Sequence, residues 1–142
     1  MRVVLDTNVI IAAFAAQGIC HALLEVCIDQ HHVVLSDFIL AEVEANLGKK
    51  LKVPESLVRN IIDFLRERAE LVEHGGSQKR VSRDPKDDWV LELAVVAKAD
   101  YLITGDDDLL ILKSHAGVPI VTPRQFWEAL REEGQNAGRA ET

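Results

Sequence analysis

With 142 residues, 48% of them hydrophobic and 27% charged, the chain is sized and composed for one globular domain with a real core, not for a disordered segment or a fibre. Cys20 and Cys27 are its only cysteines, which excludes a disulfide framework and fits a reducing, cytoplasmic setting. The net charge of −7 argues at first against a polyanionic partner, but it is unevenly spread: residues 49–86 hold ten basic and six acidic groups, while both flanking stretches are strongly acidic.

In chain order, Arg2 to Leu5 reads as a short buried strand, followed by a turn at Asp6-Thr7-Asn8 and an alanine-rich helix. That opening resembles a signal peptide only superficially. Asp6 and Asn8 interrupt the apolar run and Arg2 is its only basic flank, so no leader is expected. No stretch approaches the ~18 apolar residues of a membrane span, so no membrane association is expected. After Gly18 a second helix runs to about Asp29. His21, His31 and His32 lie near the two cysteines, but in no zinc-finger spacing.

Val33-Val34-Leu35 is the second strand, and Ser36 caps a helix from Asp37 to about Leu47 that Gly48 should stop. Pro54 opens an amphipathic helix through Leu57, Val58, Ile61, Ile62 and Leu65. Glu70-Leu71-Val72 suits a short edge strand, and His74 to Arg83 reads as loop. Asp84-Pro85 starts the next helix, with Asp84 as cap and Asp87 bonding back to it, and the helix continues to about Ala99. Tyr101 to Thr104 forms a strand, Asp106 to Leu112 a helical turn, and Pro119-Ile120-Val121 a last strand. A final helix ends near Glu133, which sets a domain at residues 1–133 and a disordered tail at 134–142. Strands alternating with helices imply an α/β fold around a central parallel sheet of four or five strands.

Four carboxylates fall at strand ends or helix starts of that scheme: Asp6, Glu42, Asp88 and Asp106. Three of them have an ordinary explanation. Asp6 suits a strand-to-helix turn, Glu42 a solvated helix face, and Asp106 a helix cap within Asp106-Asp107-Asp108. Asp88 is left without a capping task and projects with Leu91, Val95 and Ala99. Ligands of open α/β sheets bind at the carboxyl ends of the strands. Carboxylates gathered there require a cation, and an all-oxygen set selects a hard divalent ion such as Mg²⁺ or Mn²⁺. Thr7, Asn8, Ser36 and Thr104 add hydroxyls and an amide at the same edge.

The ordered set of Asp6-Thr7-Asn8 after an apolar strand, Ser36-Asp37-Phe38-Ile39-Leu40-Ala41-Glu42, Asp84-Pro85-Lys86-Asp87-Asp88, and Ala99 through Asp106 resembles the PIN domain, a metal-dependent nuclease family. The likeness runs from Arg2 to about Leu130 and is closest to the toxin components of toxin–antitoxin systems, similar to VapC ribonucleases. It implies a three-layer fold, an endoribonuclease using one or two Mg²⁺ or Mn²⁺ ions, a cognate antitoxin and a homodimer. By that likeness Asp6, Glu42, Asp88 and Asp106 are the catalytic and metal-binding acids, Asp108 an accessory ligand, and Asn8 and Thr104 the supporting shell. Trp89 stands where the subgroup commonly has a small polar residue, and is expected to pack outward. Lys49, Lys50, Lys52, Arg80 and Arg83 are the candidates for gripping the RNA backbone, although a solvated helical face explains such a basic stretch equally simply.

Three other functions compete. A haloacid-dehalogenase-type phosphatase needs an aspartate two residues after Asp6, where Asn8 stands. A receiver-like signalling domain needs an acidic neighbour to Asp6, where Thr7 stands. A catalytically silent PIN scaffold or RNA-binding module would have shed carboxylates that this chain retains.

Overall fold

The computed structural model describes residues 1–73 and 85–140, so Arg80, Arg83, the loop expected from His74 to Arg83 and the expected cap Asp84 lie outside the described residues. In β1 (Arg2–Leu5), Val3, Val4 and Leu5 are all fully buried, so consecutive side chains on both faces are covered. That is the signature of a central strand with helices on either side. β2 (His32–Leu35) repeats the pattern and lies parallel to β1, with Val3 opposite Val33. β4 (Tyr101–Ile103) lies parallel on the other side, with Leu5 opposite Ile103. β3 (Glu70–Leu71) is the expected edge strand beside β2, and β6 (Val118–Val121) flanks β4.

The full order is β3-β2-β1-β4-β6-β5, where β5 (Ser114–His115) is antiparallel to β6. The sheet is therefore mainly parallel, with one strand more than the sequence suggests. β5 is two residues long, too short to show alternation. It is joined to β6 by Ala116 (φ 49°) and Gly117 (φ 85°), both left-handed as a tight hairpin demands. An alanine in that position gives no turn signal. From β1 the chain builds outward to β2 and β3, then returns to place β4 on the opposite side of β1. The gap between β1 and β4 is thus a topological switch point, where crevices form beyond the carboxyl ends of strands.

The helices follow the sequence closely. α1 (Thr7–Ala15) and α2 (Ile19–Gln30) pack on each other, and α3 (Asp37–Lys49) packs on α1 and α4 (Glu55–Arg68). Ser36 caps α3 by accepting from Ile39 N–H at 3.2 Å. That helix passes through Gly48, because the ~1 kcal/mol penalty of an interior glycine is small against burial of Ile39, Leu40, Val43 and Leu47. α4 buries Val58, Ile62 and Leu65, one stripe of its wheel. α5 (Pro85–Val96) packs on β1 and β4, and α6 (Asp107–Leu110) is a single turn.

α7 (Pro123–Ala140) is opened by a reciprocal cap. Thr122 Oγ1 accepts from Gln125 N–H at 3.0 Å, and Gln125 Oε1 accepts from Thr122 N–H at 2.9 Å. The helix continues past Glu133 to Ala140, into the stretch that the sequence assigns to a tail. It sends Phe126 fully into the core, edge-on to Tyr101 at 5.3 Å between centroids. Among the described residues no single helix is long and apolar enough to cross a membrane.

Candidate active site

Asp6 ends β1 and at the same time caps α1, its Oδ1 accepting from Thr7 N–H at 2.8 Å. Its own N–H donates to Ile103 O at 3.0 Å, which ties the end of β1 to the end of β4. Oδ2 accepts from Thr104 Oγ1 at 2.8 Å and from Asn8 Nδ2 at 3.1 Å. The fully buried Thr104 hydroxyl spends its one proton on Asp6, and its lone pair accepts from Asp106 N–H at 3.0 Å. Asn8 completes the bridge by accepting from Gly105 N–H at 2.9 Å. Asp106 then caps α6, its Oδ1 accepting from Asp108 N–H at 2.9 Å. Asn8 and Thr104 therefore fix how far apart the carboxylates of Asp6 and Asp106 stand.

Two further elements bring acids to this edge. Glu42 reaches in from α3, with Oε1 accepting from Thr7 Oγ1 at 3.0 Å and Oε2 lying 3.9 Å from Lys86 Nζ. Asp87 sits in the first turn of α5 and is 7% exposed. Asp87, Asp106 and Asp108 each offer a carboxylate oxygen, and these oxygens all lie within 4.8 Å of one another. The result is a cleft of about 500 Å³ lined by Asp6, Glu42, Asp87 and Asp106, with Asn46, Lys50 and Lys86 on its walls.

The electrostatics agree with a cation site. Burial pushes the Asp6 carboxyl above the ordinary carboxylate range and the charge of Asp106 adds to this, against the opposing hydrogen bonds from Thr104, Thr7 N–H and Asn8. The positive end of α1, at Asp6, and of α5, at Asp87, offset part of the repulsion. An oxygen-only donor set of this charge fits a hard divalent ion, Mg²⁺ or Mn²⁺, and has neither the nitrogen nor the sulfur that zinc favours.

The structure thus brings Asp6, Glu42 and Asp106 into one cleft, with Asp108 joining the cluster, Asn8 on the wall and Thr104 beneath. Asp87, not Asp88, completes the lining; Asp88 is equally buried but stands outside it. The sequence gives Asp87 a local task as a capping partner and so hides it. Burial does not separate the two, since Leu91 lies on both faces and Asp87 and Asp88 are equally covered; only the cleft lining and the grouping with Asp106 and Asp108 single out Asp87. Lys50 lines the cleft, while Lys49 and Lys52 are exposed outside its lining. Lys86 and Asn46 are cleft residues that the sequence did not single out. Ser36 serves only its cap. Trp89 packs outward, edge-on to Phe38.

A mainly parallel sheet flanked by helices, with acids converging at its switch point, defines an α/β protein with an acidic cleft. The family model for the PIN domain matches residues 2–108, and the chain belongs to that family. No curated protein matches it. Among solved structures it is similar to VapBC2 from Rickettsia felis, bound to a DNA fragment from their promoter. That likeness has a TM-score of 0.62 at 16% identity and covers 86% of this chain and 98% of the other, a likeness of fold.

Proposed function

We propose that this chain is a metal-dependent endoribonuclease that hydrolyses RNA phosphodiester bonds, and that it is the toxin of a toxin–antitoxin pair. The observation that carries this reading is the convergence of Asp6, Glu42, Asp87 and Asp106, from β1, α3, α5 and the end of β4, on one cleft. PIN domains are generally nucleases that use divalent metals, and the fold likeness to VapBC2 supports an antitoxin partner. A homodimer is the assembly that the resemblance favours.

In this reading Asp87, Asp106 and Asp108 would hold one ion, with Asp6 and Glu42 available to the same ion or a second. When bound, Mg²⁺ or Mn²⁺ would acidify the attacking water and stabilise charge on the leaving oxygen. The chain's own part is orientation. Thr104 and Asn8 lock Asp6, Thr7 locks Glu42, and the backbone of α6 locks Asp106, so the acids need not reorganise when substrate arrives. Lys50, on the wall of the cleft, holds a flanking phosphate without reading sequence.

The test is cleavage of a panel of structured and unstructured RNAs in Mg²⁺ or Mn²⁺, with an EDTA control and Asp106→Asn beside the wild type. Metal-dependent cutting that the variant loses supports the reading. A wild type that binds the ion at the cleft and cuts none of the panel would point instead to a PIN scaffold.

A further inference from the structure

Two side-chain pairs join α3 to α5 beside the cleft. Glu42 meets Lys86, and Phe38, four residues earlier on the same face of α3, meets Trp89 edge-on with centroids 4.6 Å apart and planes at 66°. Lys86 and Trp89 are three residues apart and so are neighbours on one face of α5. Neither pair encloses its outer member. The Lys86 side chain is 65% exposed, with its ammonium 3.9 Å from Glu42. Trp89 is 41% exposed, its contact with Phe38 being an edge contact that leaves indole surface open to solvent.

The charge pattern explains why such a pair belongs here. A cleft lined by four carboxylates repels a polyanion, so a phosphodiester needs cations at the mouth. Among the described residues only Lys50 and Lys86, of the basic groups of the 49–86 segment, line it. Lys86 is also the chain neighbour of Asp87, so a phosphate taken by its ammonium lies next to the acid cluster. An exposed indole one helical turn further on supplies what every unpaired base can use, a flat π surface.

We infer that Lys86 and Trp89 form a one-nucleotide subsite running from the cleft wall at Lys86 outward along α5 to Trp89, the ammonium taking a backbone phosphate and the indole stacking on a base. The inference rests on the nuclease reading and narrows its substrate: the nucleotide seated there is unpaired, because a base inside a duplex offers no face to Trp89. Glu42 is one of the groups that hold Lys86 at the cleft wall.

The experiment measures binding of a short labelled single-stranded RNA, and of its duplex, by anisotropy across a salt series in Ca²⁺, with RNA integrity checked on a gel. Lys86→Gln should reduce the slope of log affinity against log salt by about 0.7, one single-strand phosphate contact, and Lys86→Arg should restore it. Trp89→Ala should weaken single-strand binding on the order of tenfold with the slope unchanged. Trp89→Phe should keep most of the affinity, and the duplex should not distinguish Trp89→Ala from wild type. Lys98→Gln, in the turn after α5, should match wild type throughout.

A wild type that binds and cuts RNA while the Lys86 and Trp89 variants match its slope and affinity overturns the subsite and leaves the nuclease reading standing. A wild type that neither binds nor cuts overturns both. If Trp89→Ala changes only self-association in sedimentation, a second copy of the chain covers that face, and the subsite is again refuted.

Discussion

The two ends of β1 treat charge in opposite ways. At its start the Arg2 side chain donates to Ala97 O at 2.8 Å and pairs with Glu70 at 2.7 Å, while its backbone N–H donates to Asp100 at 2.8 Å, so the cation is matched by an acid and the second acid by an amide where β1, β3 and β4 begin. At its finish Asp6 is surrounded by further acids and held by neutral donors, with its ionised form disfavoured by burial. The first end is built for stability. The second keeps like charges together at the expense of stability, which a fold tolerates where a site needs it.

Breaking the second end should have the largest effect. Asp6→Asn and Asp106→Asn should each lower RNA cleavage by more than about 100-fold, the upper end of what supporting groups cost, with circular dichroism unchanged. Thr104→Val keeps the shape of the side chain but leaves Asp6 Oδ2 and Asp106 N–H each short of a partner. It should reduce cleavage roughly 10- to 100-fold and destabilise the fold by about 2 kcal/mol in urea. Metal should reverse the imbalance. Mn²⁺ at about 100 times its Kd should stabilise the wild type by about 2.7 kcal/mol, EDTA should abolish the gain, and Asp106→Asn should lack most of it.

The first end sharpens the contrast. Arg2→Ala should cost about 1 kcal/mol of stability, discounted because the pair with Glu70 is partly exposed, and leave both cleavage and the Mn²⁺ shift unchanged. The smallest effect concerns pH. Because the folded protein holds the Asp6 proton more tightly than the unfolded chain, its burial penalty is absent below the ordinary carboxylate value and complete above the raised one. Metal-free protein should therefore lose stability through this group as pH rises across that interval. In Asp106→Asn the loss should shrink, since the charge of Asp106 is part of what raises Asp6.

What the sequence revealed depended on whether a residue's role was written in its own neighbourhood. Val3-Val4-Leu5 and Val33-Val34-Leu35 were legible because strands covered on both faces are unbroken apolar runs. Asp6 and Asp106 were legible because each follows such a run, and Ser36 because a cap is a local bond. β5 was not, since two residues have no period and its turn rests on a left-handed Ala116. Asp87 was masked by a plausible local use, and only its three-dimensional grouping with Asp106 and Asp108 separates it from Asp88. The partners of Thr7 and Lys86 on Glu42 lie 35 and 44 positions away in the sequence, a pairing that depends on how α3 sits against α1 and α5.

The most direct test of the site as drawn sets Asp87→Asn against Asp88→Asn, measuring Mn²⁺ affinity and RNA cleavage in both. The geometry predicts that Asp87→Asn loses metal affinity and cutting together, while Asp88→Asn keeps the metal and most of the rate. The reverse order, or equal and full activity in both, would contradict the assignment of Asp87 to the cluster with Asp106 and Asp108, and with it the metal site on which the proposed chemistry depends.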